Sequence, residues 1–395
     1  MKLSIQILLL IILFPFVTGC YDLRELNETG FVTALGVDLG STNRYRVSVQ
    51  VVNPSNSAGG TFSKGPTSLD TVTYSAEGDN VFQASRKISK MISRQLHYGH
   101  TILVAISEDL ARKEGLYNML DGIERDSEIR SSASIILTKG ISAEKLLRNK
   151  AIIDRISAMK VKRLTKFSQN LLGENPDTRL YQVIRTLTSS GRNAMVNGFE
   201  IVQTPQAPIV VLDSLGVFQE GKLVHWLDSQ SSRGVMWVLD KVRSTLVSLD
   251  VNGQKNSVGI EPIRTKANVK AISQQGKPKM QIHIEVDANI GEVETNIDIL
   301  DPFVILELEK LTEDAIRAEV NQAITKLQAL HCDIFGFGDV VHQYEPGLWR
   351  HWQKDWSDKG FPELQHDLQL TVRIQRLGLR TNSLIRNIEL NNQGN

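Results

Sequence analysis

Apolar residues recur along this chain with two different spacings, and each change of spacing marks the start of a new element. Tyr45-Arg46-Val47-Ser48-Val49-Gln50-Val51 has a period of two, the signature of a half-buried strand. Phe31 to Val37 and Val72 to Ala76 read the same way, and a Ser-, Gly- and Pro-rich loop over 53–68 precedes the latter. After Asp79 or Asn80, Val81, Phe82, Ala84, Ile88, Met91 and Ile92 fall at steps that suit one helical face, so a capped helix is predicted. Thr101 to Ile106 is then a buried strand, Ser107-Glu108-Asp109 opens a helix, and Leu116 to Ile123 continues the helical spacing. Ala133 to Leu137 is a strand and Ser142 opens a helix through Leu147. Pro176-Asp177 begins a helix carrying Leu180, Val183, Ile184 and Leu187, which Ser189-Ser190-Gly191 ends.

Beyond Gly191 strands dominate. Gly198 to Val202, Ile209 to Phe218 and Leu223 to Leu227 are predicted strands, and Gln219-Glu220-Gly221-Lys222 forms a hairpin turn between the last two. Ser232-Arg233-Gly234 precedes a short helix through Trp237 and Val242, and Thr245 to Val251 returns to strand. Ala267 to Ile272 and Lys279 to Asn289 follow, with Pro278 marking the turn, and Met280, Ile282, Ile284 and Val286 alternate across a half-solvated sheet. The longest helix starts at Asp301-Pro302 and runs to about Leu330, and its stripe from Leu308 to Leu330 is expected to pack on its own sheet, with a partner-binding seam as the alternative. Leu368 to Ile374 closes the chain as a strand. The mixture predicts an α+β protein.

The N-terminus has neither spacing. Lys2 precedes an apolar run from Ile5 to Val17 and then Thr18-Gly19-Cys20. This run is short for a membrane span, which takes about 20 residues, but suits the apolar part of an export signal. Small residues ahead of a cysteine mark a lipoprotein site, so residues 1–19 are expected to be cleaved as a signal peptide, leaving Cys20 to carry a diacylglyceryl anchor. An ordinary secretory peptide with a chance cysteine is the alternative. Lys2 leaves with the signal, so the mature chain balances 44 Lys plus Arg against 44 Asp plus Glu. That balance argues against nucleic-acid binding, whose proteins usually show a basic excess, and against electrostatic docking on a membrane through polybasic segments, which leaves the anchoring to the lipid. Cys332 is then the single thiol left, so no internal disulfide is expected. Length favours several cores, and the expected division is a mixed α/β domain over 20–191, a β-rich domain over 192–260 and an α+β domain with the long helix over 261–395.

Candidate chemistry does not converge. His97 and His100 lack a carboxylate or cysteine at ligand spacing, so no metal is expected there. Gly336-Phe337-Gly338 lacks the third glycine of a dinucleotide fingerprint and follows a helix instead of a strand. His331-Cys332-Asp333 superficially offers a base, a thiol and an orienter, but sequence neighbours seldom form a triad, and a buried inert thiol is expected. Glu307 and Glu309 do not face each other on a helix, and Asp355 and Asp358 read as solvated charge. Trp349, Trp352 and Trp356 read as an aromatic brace for at least two of the three. No catalytic residue, cofactor or metal is expected, and the chain is read as a non-enzyme.

Gly19-Cys20-Tyr21-Asp22-Leu23-Arg24-Glu25-Leu26-Asn27 resembles the lipidated opening of the Ger(x)C spore-germination lipoproteins, with Tyr21 in place of the usual tryptophan. Ser214-Leu215-Gly216-Val217-Phe218, Gly221-Lys222-Leu223-Val224, Trp226-Leu227 and Ser232-Arg233-Gly234 before Trp237 continue the resemblance. Cys332-Asp333-Ile334-Phe335-Gly336-Phe337-Gly338 with Pro346, Trp349 and Trp356 is its most specific stretch. The resemblance implies three mixed domains and the C subunit of a nutrient germinant receptor. It also implies attachment to the outer face of the spore inner membrane, polytopic A and B subunits as partners, and no catalytic residues. Whether the nutrient germinant is met directly or through those partners stays open. A solute-binding lipoprotein of a nutrient importer is the second reading, and a cell-wall or lipid-processing enzyme the third; the absence of an internal repeat weighs against the former.

Overall fold

The computed structural model describes residues 28–376 apart from 53–70, 127, 150–153 and 155; the expected signal peptide and Cys20 lie outside the described residues. The first sheet begins with β1 (Thr29–Leu39), β2 (Tyr45–Val52) and β3 (Thr71–Gly78), which pair antiparallel. The chain then turns into helix α1 (Val81–Ile88), which Asn80 caps by accepting a hydrogen bond from Gln83 N. Met91 and Ile92 fall outside this helix, because the chain turns at Ser89.

A short β4 (Gln95–His97) leads to β5 (Leu103–Ser107), and both lie parallel to β1. Helices α2 (Glu108–Lys113) and α3 (Tyr117–Glu124) cross to β6 (Ser134–Thr138), again parallel. Leu103 and Ala105 pack on one face of the sheet and Val104 and Ile106 on the other, so this centre is covered twice, as parallel sheets require.

Helices α4 (Ala143–Arg148), α5 (Ser157–Phe167) and α6 (Leu180–Leu187) cover the sheet before β7 (Met195–Val202) joins β6. Helix α6 starts at Leu180, later than expected, because Tyr181 N and Leu180 N are first drawn to Ser131 O and Ala133 O. The sheet ends with the hairpin of β8 (Ile209–Gln219) and β9 (Lys222–Leu227), whose turn holds Glu220 and Gly221 both at positive φ.

Helix α7 (Ser229–Val238), capped by Asp228, contains Ser232, Arg233 and Gly234 rather than following them. The second sheet has the order β10 (Val247–Val251), β11 (Gln254–Gln274), β12 (Lys277–Val293), β13 (Gln365–Arg376). The turn between β11 and β12 is at Gln275-Gly276, and Pro278 lies within β12 opposite Ser273. Met280, Ile282, Ile284 and Val286 are buried, and the alternating Gln281, His283 and Glu285 line the open polar face.

Helix α8 (Pro302–Ala329), capped by Asp301, buries Leu308, Ile316, Val320, Ile324 and Leu327 against this sheet and α7. Helices α9 (Phe337–Tyr344) and α10 (Pro346–Trp352) complete the crossover to β13, which runs parallel to β12. Leu215, Val217 and Leu227 from the first sheet belong to the same core as the second sheet.

The α+β class thus holds. Strands over 195–227 extend the first sheet and those from 247 onward build the second, so residues 192–260 contribute to both. Gly191 reads as a helix terminator but serves a close contact: a Cβ there would lie 2.7 Å from Asp339 N.

Candidate functional site at the junction of the sheets

The loop after α8 turns at His331, whose φ is +56°, and carries Asp333 inward. One Asp333 carboxylate oxygen accepts from Gly336 N at 2.8 Å and Phe337 N at 3.1 Å. The other accepts from Gly338 N at 2.9 Å and Trp356 Nε1 at 3.0 Å. Burial is the largest influence and pushes the carboxyl up to about 6, against the pull of these four donors. The backbone of Asp333 also exchanges hydrogen bonds with Asn193: Asn193 N donates to Asp333 O at 2.7 Å, and Asp333 N donates to Asn193 Oδ1 at 2.8 Å. The carboxylate thus gathers the loop that follows it and Trp356, while the backbone of the same residue is tied to Asn193.

Glycine permits this closeness. Gly336 sits at φ +76°, and a Cβ on Gly338 would stand 2.6 Å from Gly191 Cα. The Gly-Phe-Gly run therefore shapes a loop around an internal carboxylate. Phe335 and Phe337 stack at 4.7 Å, Trp349 meets Trp356 edge-on at 5.5 Å, and both indoles are buried while Trp352 is half-exposed. The brace expected of two tryptophans is present.

His331, Cys332 and Asp333 do not form a triad. His331 Nδ1 faces Ser357 O, Asp333 points into its cage, and burial pushes the Cys332 thiol up to about 12. A thiol held protonated is a poor nucleophile. His97 lies 3.3 Å from Glu128 and 5.6 Å, ring to ring, from His100, and no set of three metal-ligating side chains occurs among the described residues. Glu309 accepts a backbone N–H from Ile374, whereas Glu307 is exposed, so they do not act as a pair.

A second polar knot went unread in the sequence. Arg233 holds Glu319 through Nε at 2.9 and 3.1 Å and also through Nη2, while Trp237 Nε1 donates to Glu319 Oε2 at 2.9 Å. Gly234 lets α7 meet α8 there, since a Cβ would stand 2.3 Å from Glu319 O. The Ser-Arg-Gly and Trp237 signal was visible, but its acceptor is 86 residues away from Arg233. Beside the junction lies a groove of about 790 Å³ lined by Tyr181, Arg185, Ser189, Arg192, Lys241 and His342, among others. Burial, followed by the nearby Arg192, lowers the Lys241 pKa. Among the described residues this set assembles no nucleophile, base and oxyanion site.

The sequence that builds these two sheets matches a known class. Residues 22–201 match the family model described as spore germination protein N-terminal domain, and residues 213–378 match the one described as spore germination B3/GerAC like, C-terminal. The chain belongs to the Ger(x)C family of spore germination proteins. It is 29% identical to spore germination protein KC of Bacillus subtilis (strain 168), over 97% of each chain. Spore germination protein B3 of the same strain is 21% identical over 91% of this chain and 94% of its own. A solved structure of the GerBC protein shares the fold, with a TM-score of 0.53 and 18% identity over 86% of this chain and 96% of that one.

Proposed function

We propose that this protein is the lipid-anchored C subunit of a nutrient germinant receptor. Acylation at Cys20 holds it on the outer face of the spore inner membrane, where it acts with polytopic A and B subunits to trigger germination. The family match over both parts of the chain carries the reading, and the Thr18-Gly19-Cys20 sequence supports the anchor. The junction built on Asp333 and Asn193 suits a subunit that passes contacts between partners without performing chemistry. The unlike sheets, of nine and four strands among the described residues, do not favour the paired lobes of a solute-binding protein. Replacing Cys20→Ala should release the protein from spore membranes and impair germination by nutrients. Full membrane retention with normal germination would overturn the proposal, and copurification with two polytopic proteins tests the partners.

A further inference from the structure

Helix α5 continues through a wider turn, Ser168–Leu172, to Gly173 at φ +64°. From Ser157 to Leu172 the segment carries Lys160, Lys162, Arg163 and Lys166 and no acidic residue, in a chain whose charges otherwise nearly cancel. Its distal end exposes Phe167 by 54%, Leu171 by 61% and Leu172 by 51%. The surface does not stop there. The Gly173 Cβ position lies 3.1 Å from Val242 Cγ1 and 3.4 Å from Ser244 O, which brings the exposed Arg243 and the 51% exposed Leu246 alongside. Facing anions are few: Asp154 pairs with Arg163, Glu174 lies toward Arg233, and Glu261 accepts from Ser244. Lys160, Lys162 and Lys166 form no ion pair among the described residues.

We infer that Phe167, Leu171 and Leu172, flanked by Lys160, Lys162 and Lys166, dock directly onto a bilayer surface bearing anionic headgroups. Exposed Phe and Leu beside lysines suit an interface where apolar groups enter the acyl boundary and ammonium groups remain among phosphates. A protein partner fits less well, since lysine is depleted at protein interfaces. The contact deepens the anchored-subunit reading by giving the folded body its own orientation on the membrane, independent of an acyl chain.

The test uses the mature chain, residues 20–395, carrying Cys20→Ser so that no acyl group contributes. It is sedimented with phosphatidylcholine vesicles with and without phosphatidylglycerol. Binding is expected with phosphatidylglycerol and should weaken as salt rises, because the attraction fades within a Debye length. Each lysine near an anionic surface contributes about fivefold, so Lys160→Glu/Lys162→Glu/Lys166→Glu should reduce binding by on the order of 100-fold or more. Phe167→Ser/Leu171→Ser/Leu172→Ser should weaken it as well, with an unchanged circular dichroism melt showing that the fold survives. The inference is overturned by absent binding of the unaltered chain, by equal binding to neutral vesicles, or by binding that neither variant lowers. It is also overturned if the apolar variant leaves vesicle binding intact but loses membrane-protein partners. None of these outcomes bears on Cys20, whose role is read from spore fractionation.

Discussion

Asp333 is the residue on which the junction is centred, and its oxygens face only N–H donors within the cage. In Asp333→Asn an amide NH₂ would have to face two of the four donors, Gly338 N and Trp356 Nε1 or the other pair. That loss should cost about 2–4 kcal/mol in urea unfolding. Because burial raises the folded pKa to about 6, the folded state holds a proton that the unfolded state has released between pH ~4 and about 6. The stability advantage over Asp333→Asn should therefore narrow as pH rises through that window. Glu144 behaves oppositely: partial burial raises its pKa, but Arg46, Ser75 and Arg148 outweigh this and hold it at about 2. Its contribution is present above pH ~4.5 and is lost as pH falls toward about 2. Glu144→Gln should flatten the acid limb of the urea midpoint against pH and cost about 1 kcal/mol at neutrality, a modest figure because Arg46 and Arg148 are substantially exposed.

Helix α8 guards a sheet edge. Glu309 and Glu313 accept the N–H groups of Ile374 and Val372, and Arg317 donates to Leu368 O at 2.8 Å, so carboxylates and a guanidinium occupy positions another strand would take. Glu309→Ala/Glu313→Ala should leave the β13 edge unpaired, lower stability by about 1–2 kcal/mol and promote self-association, measurable by light scattering. Elements with strong spacing were legible in the sequence. The alternation of β12, the capped start of α8 and the Glu220-Gly221 hairpin all lie where the residues predict them. Helix α5 was not legible, because the side it buries consists of Ser157, Ala158, Val161 and Thr165, which leave no apolar stripe. The full reach of β11 was hidden as well: Pro262 and the irregular pairing between Pro262 and Arg264 break its alternation. The Cys332–Gly338 loop stood out by resemblance, but its partners Gly191 and Asn193 could not be read, since neither lies on a periodic face.

The two sheets share a core and are joined by polar contacts that include the Asn193–Asp333 exchange, Ser189 Oγ donating to Asp339 Oδ1, the Arg192–Asp339 ion pair and the Arg233–Glu319 pair on α7 and α8, with the close Gly191–Gly338 backbone contact beside them. A methyl group at Gly338 would meet Gly191 backbone, which cannot swing aside as a long side chain can. Gly338→Ala combined with Asn193→Ala should therefore loosen the junction more than either sheet. Calorimetry is expected to show a single unfolding transition broadening or splitting into two, with the first-sheet residues retaining the later hydrogen-exchange protection. Equal loss of protection in both sheets would show that they form one cooperative unit.

Asp333 and Asn193 are also 140 residues apart, and this separation sets an order of events during synthesis. The described strands of the first sheet lie within residues 29–227 and can pair before Asp333 has left the ribosome. Closing so distant a contact is entropically slow, so the junction should form last, and substitutions there should hasten unfolding while leaving the refolding rate almost unchanged. Until that closure the Asn193 side of the junction waits without its partner, and a chain stalled short of residue 333 would display an incomplete surface that a quality-control protease can recognise.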